Sequence, residues 1–152
     1  MQNDKQRQVY ELFIRTSADK LWQSLTDGSI TPNYFFGTVV KSSFKKGDPI
    51  SYQTPDGHPA VEGTVLECDP QRRLVHTWKI RYDAALSDEI STVEWRLEPR
   101  GNACKVIAIH DFEKAPKSAA ALGEGKDGWS VVLSGLKTYL ETGKPLELPM
   151  AG

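Results

Sequence analysis

The segment Asp127–Thr142, DGWSVVLSGLKTYLET, is the strongest constraint on the fold. Trp129, Val132, Leu133, Leu136 and Leu140 recur at i, i+3, i+4, i+7 and i+11, which marks one apolar stripe of an amphipathic helix. Gly143 and Pro145 stop the helix after about four turns. A stripe of this size has to be covered by another layer of structure, and what precedes it is mostly strand.

Segments Thr38–Phe44, Pro49–Thr54, Ala60–Cys68, Leu74–Arg81, Ile90–Glu98 and Ala103–Phe112 read as strands, separated by Lys46-Gly47-Asp48, Pro55-Asp56-Gly57, Asp69-Pro70 and Pro99-Arg100-Gly101-Asn102. Short links favour antiparallel neighbours over parallel crossovers. A further strand, Gln8–Arg15, comes first, with Tyr10, Leu12 and Ile14 on one face. The helix-start signal Thr16-Ser17-Ala18-Asp19 follows, then Leu21, Trp22 and Leu25 at helical spacing. Ser29–Phe36, with Pro32 early in it, reads as a second short helical turn closed by Gly37. Tyr82–Glu89 reads as a polar connection, and Lys114–Leu122 as part of the passage to the last helix. The expected fold is α+β: a curved seven-stranded antiparallel sheet wrapped around the C-terminal helix, with two short helices after strand one.

The 152 residues match one domain, expected to span 1–152 with its core at about 8–144. Nineteen Lys and Arg against twenty Asp and Glu leave a net charge of −1, which argues against a nucleic-acid or anionic-membrane partner. No apolar run approaches the roughly 20 residues of a membrane span, and MQNDKQRQ is too polar for a signal peptide. A cytoplasmic location is the expectation. Cys68 and Cys104 stand apart, with no CxxC pair and no His at ligand spacing, so neither a zinc site nor any other metal or cofactor is expected.

Four stretches resemble one known family. SADKLWQSLTD resembles its opening strand–helix signature, and EGTVLECDPQRRLVHTW, Glu62 to Trp78, resembles its run G-x-V-x-E-x-D-P-x-x-R-L-x-x-T-W. Ile90–Pro99 and Val106–Phe112 resemble its two late strands, and Gly128-Trp129 with Leu133, Leu136 and Tyr139-Leu140-Glu141 its terminal helix. On these residues the chain is identified as a member of the activator of heat-shock-protein-90 ATPase homologue-like family, in the START-like (SRPBCC, helix-grip) superfamily. The resemblance implies a helix-grip fold with a hydrophobic cavity between sheet and terminal helix. It also implies that chaperone activation belongs to two-domain relatives, whose N-terminal half does not fit in this chain.

Strand alternation puts Leu74, His76, Trp78 and Ile80 on one face, with Val93, Trp95 and Leu97, and with Cys104, Val106, Ala108, His110 and Phe112. Tyr10, Leu12, Ile14, Ile50 and Tyr52 complete the wall. Large apolar residues ordinarily just fill a core, whereas the family resemblance implies an open pocket. The candidate ligand-binding residues are Tyr52, His76, Trp78, Trp95, His110, Phe112, Trp129, Leu133 and Leu136. They suit an apolar or aromatic ligand with a few polar anchors.

His76 and His110 are the inward acid–base groups, yet no nucleophile or orienting partner accompanies them, and no catalytic residue is assigned. Asp111 points away from His110 because neighbouring strand residues face opposite sides. His58 lies in a turn open to solvent. Gly123-Glu-Gly125-Lys-Asp-Gly128 spells a dinucleotide fingerprint but lacks the preceding strand and the later acidic residue, so it reads as a loop that gates the pocket mouth.

The leading expectation is therefore a binding protein for a small hydrophobic molecule. A chaperone-regulating or stress-response interaction module is the alternative, and a cyclase- or hydrolase-like enzyme using His76 or His110 with Tyr52 the third. A monomer or a homodimer pairing through an exposed strand edge fits either.

Overall fold

The computed structural model describes residues 7–122 and 126–148. Strands β1 (Arg7–Ile14), β2 (Val39–Ser42), β3 (Pro49–Gln53), β4 (Pro59–Asp69), β5 (Arg73–Ile80), β6 (Ser91–Arg100) and β7 (Ala103–Asp111) form one antiparallel sheet. Its order is β1-β7-β6-β5-β4-β3-β2, so every neighbour is sequential except β1, which closes onto β7 at the far edge. The helices are α1 (Ala18–Thr26), α2 (Pro116–Leu122) and α3 (Gly128–Thr142), with a 3-10 turn at Thr31–Asn33. This is the α+β helix-grip arrangement expected from the sequence.

Period-two patterning reaches the core as expected. Ile14, Ile50, Tyr52, Leu74, His76, Trp78, Ile80, Val93, Trp95, Leu97, Cys104, Val106, Ala108, His110 and Phe112 are all buried. Tyr10 and Leu12, read inward with Ile14, are only partly buried, because β1 is an edge strand. On α3 the buried stripe is Trp129, Val132, Leu133 and Leu136, joined at Gly135, where an added Cβ would come within 3.1 Å of Tyr34 Cβ. A glycine there brings the helix backbone close to the 3-10 turn.

Two local readings change. The helix α1 is capped by Ser17, whose hydroxyl accepts from the Lys20 N–H at 3.1 Å, one residue later than the Thr16-based signal. The stretch before the last helix contains α2, a helix that the sequence pattern does not predict. It starts at Pro116, whose missing N–H costs nothing in the first turn, and continues through three alanines, which favour helix without any apolar periodicity. The connection at 82–89 is not merely polar: Leu86 is buried, and the Glu89 carboxylate accepts from Ser118 N–H at 2.7 Å, Lys117 N–H at 3.1 Å and the Ser118 hydroxyl at 3.0 Å. Glu89 thereby holds the first turn of α2.

In β4, Gly63 makes room for its neighbour strand, since a Cβ would lie 2.0 Å from the Thr77 carbonyl oxygen. Thr77 answers with its hydroxyl, which accepts from Thr64 N–H at 2.8 Å. The ladder between β4 and β5 then shifts register between Val65 and Glu67, leaving Leu66 exposed on a bulge.

Candidate functional site

A cavity of about 380 Å³ lies between the sheet and the N-terminal turn of α3. That falls within the size range of small-molecule pockets, about 300–1,000 Å³. The sheet contributes Tyr52, Ala60, Val61 and Trp78, with Thr54 just beyond β3, and the helices contribute Leu122, Gly128, Trp129 and Val132. Phe35, Phe36 and Thr38, from the segment after the 3-10 turn, and Tyr82, beyond β5, complete it. No charged side chain is among these residues.

The wall is a connected set of rings. Phe35 stacks on Tyr52 with centroids 4.5 Å apart, Tyr52 lies 5.6 Å from Trp78, and Trp78 lies 6.1 Å from Trp129. Phe35 meets Trp129 edge-on at 6.1 Å. Hydrogen bonds fix the segment that delivers Phe35. The Thr31 hydroxyl donates to the Thr38 carbonyl at 2.9 Å and accepts from Val40 N–H at 3.0 Å, while the Thr38 hydroxyl donates to the Phe35 carbonyl at 2.6 Å. The Tyr34 hydroxyl donates to the Ser24 carbonyl at 2.6 Å and ties this segment to α1. Phe36 follows with a left-handed backbone (φ 53°), and its ring is 57% exposed. Tyr82 is 60% exposed. These two aromatic rings form the solvent-facing rim of an otherwise buried apolar wall.

Of the nine candidates from sequence, Tyr52, Trp78 and Trp129 line the cavity. His76, Trp95, His110, Phe112, Leu133 and Leu136 are buried but are not among its lining residues. Leu133 and Leu136 lie further along α3 than the turn that faces the cavity. Trp95 packs edge-on against Trp129 at 5.5 Å, and Phe112 stacks on His110 at 3.8 Å. The cavity takes Phe35, Phe36, Val61, Tyr82 and Val132 instead. The aromatic pair Phe35-Phe36 before Gly37, at the end of a proline-containing turn, was the sequence signal for half of this rim. Among the described residues, Leu122 and Gly128 flank the proposed gating loop and both line the cavity; Gly123 and Gly125 lie outside them.

The two histidines are held behind the wall. The Trp129 indole N–H donates to His110 Nδ1 at 3.0 Å. An indole can only donate, so His110 carries its proton on Nε2 and donates it to the Ser91 hydroxyl at 2.7 Å. The Ser91 oxygen in turn stands 3.4 Å from the Trp78 carbonyl. Ladder register explains the chain, since Trp78 pairs with Ser91 and Val93 with His110, which places Ser91 one step diagonally from the imidazole. Burial, and then the proximity of His76, push the His110 pKa down to about 3; burial alone pushes His76 down to about 4 against the opposing pull of the Thr77 carbonyl. Both imidazoles are neutral near pH 7, and both nitrogens of His110 are committed to protein partners.

Cys104 is fully buried, and burial raises its thiol pKa, as it does for Cys68, so both sulfurs stay protonated. Among the described residues no three His, Cys, Asp or Glu side chains group together as a metal site, and no helix is long and apolar enough to cross a membrane.

Comparison with known proteins places these features. The family profile of Activator of Hsp90 ATPase homolog 1-like protein matches residues 15–141. The chain is similar in structure to CalU16 from Micromonospora echinospora, with a TM-score of 0.71 and 21% identity, covering 92% of this chain and 76% of that one. It is similar to PFC0360w, an HSP90 activator from Plasmodium falciparum, with a TM-score of 0.69 and 20% identity over 89% and 96% of the two chains. It is also similar to the Aha1 dimer from Colwellia psychrerythraea, with a TM-score of 0.66 and 20% identity over 91% and 98%. None of the curated proteins compared with the chain matches it.

Proposed function

The chain belongs to the activator of Hsp90 ATPase homolog 1-like family, and within it we propose that this protein binds a small, uncharged, largely apolar and aromatic molecule. One observation carries the reading: the wall of the cavity is built of Phe35, Tyr52, Trp78 and Trp129, with no charged group among its lining residues. An ionic ligand would surrender its hydration there without a counter-charge, whereas a flat apolar one replaces water against ring faces. Phe36 and Tyr82 stand at the rim, where they meet a ligand on entry.

Nile red titration with tryptophan fluorescence tests this. Saturable binding with quenching of Trp78 and Trp129 emission is expected, and Val132→Trp, which places a third indole in the cavity, lowers the affinity at least tenfold. Linear, unsaturable dye uptake that Val132→Trp leaves unchanged rejects the reading.

Family membership and the likeness to an HSP90 activator favour a second reading, regulation of a chaperone ATPase. Its test is direct: retention of an Hsp90-type chaperone on the immobilised protein together with a changed ATPase rate. No retention and an unchanged rate remove it.

A further inference from the structure

The core holds two pairs of tryptophan and histidine, and they are bonded differently. Trp129 and His110 meet edge-on, their planes 84° apart, and the indole N–H donates directly to the imidazole at 3.0 Å. Trp78 and His76 lie two residues apart on the same face of β5, with ring centroids 6.1 Å apart and planes only 34° apart. In that tilted arrangement the indole N–H makes no hydrogen bond to the imidazole. Trp78 Nε1 and His76 Nε2 are both buried and both without a hydrogen-bond partner. Buried polar atoms are nearly always paired, so two orphans on neighbouring rings require a reason.

Their chemistry is complementary. Trp78 Nε1 only donates. His76 Nδ1 lies 2.9 Å from the Thr77 carbonyl, which only accepts, so the ring proton is on Nδ1 and Nε2 is a bare acceptor. Burial keeps the imidazole neutral and that lone pair free near pH 7. Trp78 and Tyr52 form part of the cavity wall, and His76 sits beside both, 6.2 Å from the Tyr52 ring. Both orphans therefore belong to rings that form the wall or stand against it.

We infer that the ligand carries a hydroxyl group that passes the wall, accepts from Trp78 Nε1–H and donates to His76 Nε2. This deepens the cavity reading and rests on it. A hydroxyl is the smallest neutral group that both donates and accepts. An ether or ketone oxygen satisfies only the indole, and a carboxylate faces the histidine lone pair with another lone pair. Both nitrogens are sealed from solvent, so the hydroxyl reaches them as the Trp78 ring, itself part of the wall, turns toward the cavity. The ligand class is a phenol or alcohol on an apolar aromatic frame.

Calorimetric titration of the full chain with 2-naphthol, 2-methoxynaphthalene and naphthalene tests the inference, with displacement of Nile red as a parallel readout. The expected result is that 2-naphthol binds about tenfold tighter than the other two, the worth of one to two net hydrogen bonds. The preference disappears in His76→Phe, which keeps a ring and removes the acceptor. In the wild-type protein, NMR follows the Trp78 indole N–H, which moves downfield with 2-naphthol and not with naphthalene, so the inference stays testable if the variant does not fold. Equal affinities for all three compounds, or a preference that survives His76→Phe, overturn the hydroxyl site while leaving the cavity reading intact. Failure of all three to bind or to displace Nile red overturns both.

Discussion

Trp129, His110 and Ser91 illustrate how a buried polar group becomes scaffold. Each atom of His110 that can hydrogen-bond has a partner, and the imidazole is stacked on Phe112. Such a residue stabilises the fold only while it is neutral, which makes stability depend on pH. The unfolded histidine titrates near about 6.5, whereas the folded values fall to about 4 for His76 and about 3 for His110. Below about pH 6.5 the unfolded chain therefore binds protons that the folded chain refuses, and unfolding becomes easier as pH falls toward the folded values. The loss between about pH 7 and about pH 5 is on the order of 3 kcal/mol for the two histidines together. Urea denaturation across that range measures it, and His76→Phe should remove about half of the slope. Lowered carboxylates such as Glu94 and Glu141 add their own loss only below their ordinary range, so the upper window belongs to the histidines. A flat stability profile down to about pH 5 contradicts the assignment.

At the scale of the element, α2 is the instructive case. Seven residues are too few to hold a helix by propensity alone. What anchors it is Glu89, in the connection between β5 and β6, whose carboxylate accepts from the first-turn N–H groups of Lys117 and Ser118. Burial would raise the Glu89 pKa, but the hydrogen bonds from Ser118 and Lys117 outweigh it and keep the carboxyl below its usual range. Hydrogen bonds to a charged acceptor contribute about 1.5–3 kcal/mol each in favourable settings. Glu89→Ala should accordingly destabilise the protein by about 2 kcal/mol, and because Leu122 ends α2 and lines the cavity, it should also weaken Nile red binding. Amide hydrogen exchange in α2 should accelerate more than in α3. Equal acceleration in both helices would mean that Glu89 supports the whole fold and not α2 in particular.

Across the whole molecule, the cavity lies where the packing of α3 on the sheet leaves space around its first turn. β1 pairs with β7, Gly135 lets α3 approach Tyr34, and the first turn of α3 meets the sheet through Trp129 beside Trp78, with the cavity opening between these rings and Tyr52. Charge is kept off the cavity wall: Arg73 bridges Glu67 and Glu94 on the outward face of the sheet, and Arg96 pairs with Glu94 there. A ligand that binds only the folded state adds about 2.7 kcal/mol at a hundredfold excess over its Kd. For a chain of this length the melting temperature should rise by roughly 5 to 10 °C. Differential scanning with 2-naphthol checks this, and an unchanged melting temperature at saturation argues that binding is to the surface or to the unfolded chain.

The sequence by itself determined the fold. Alternation in each strand, the turn residues between them and the stripe from Trp129 to Leu136 can be satisfied together by few arrangements, and the inward residues read from that alternation are buried except Tyr10 and Leu12, which the edge strand β1 leaves partly exposed. Burial is a local property of pattern, so it is legible. The cavity is a different matter, because it depends on which buried residues fail to touch one another. Tyr52, Trp78 and Trp129 line it while His76, Trp95 and Phe112, indistinguishable from them by periodicity, do not. Phe35, Phe36 and Tyr82 belong to segments with no period to read, and α2 has no apolar stripe. Whether the Trp78 and His76 nitrogens would pair as Trp129 and His110 do was settled by ring orientation, a few tens of degrees set by side-chain packing. Pattern decides which residues go inside; only tertiary packing decides where the inside is left unfilled.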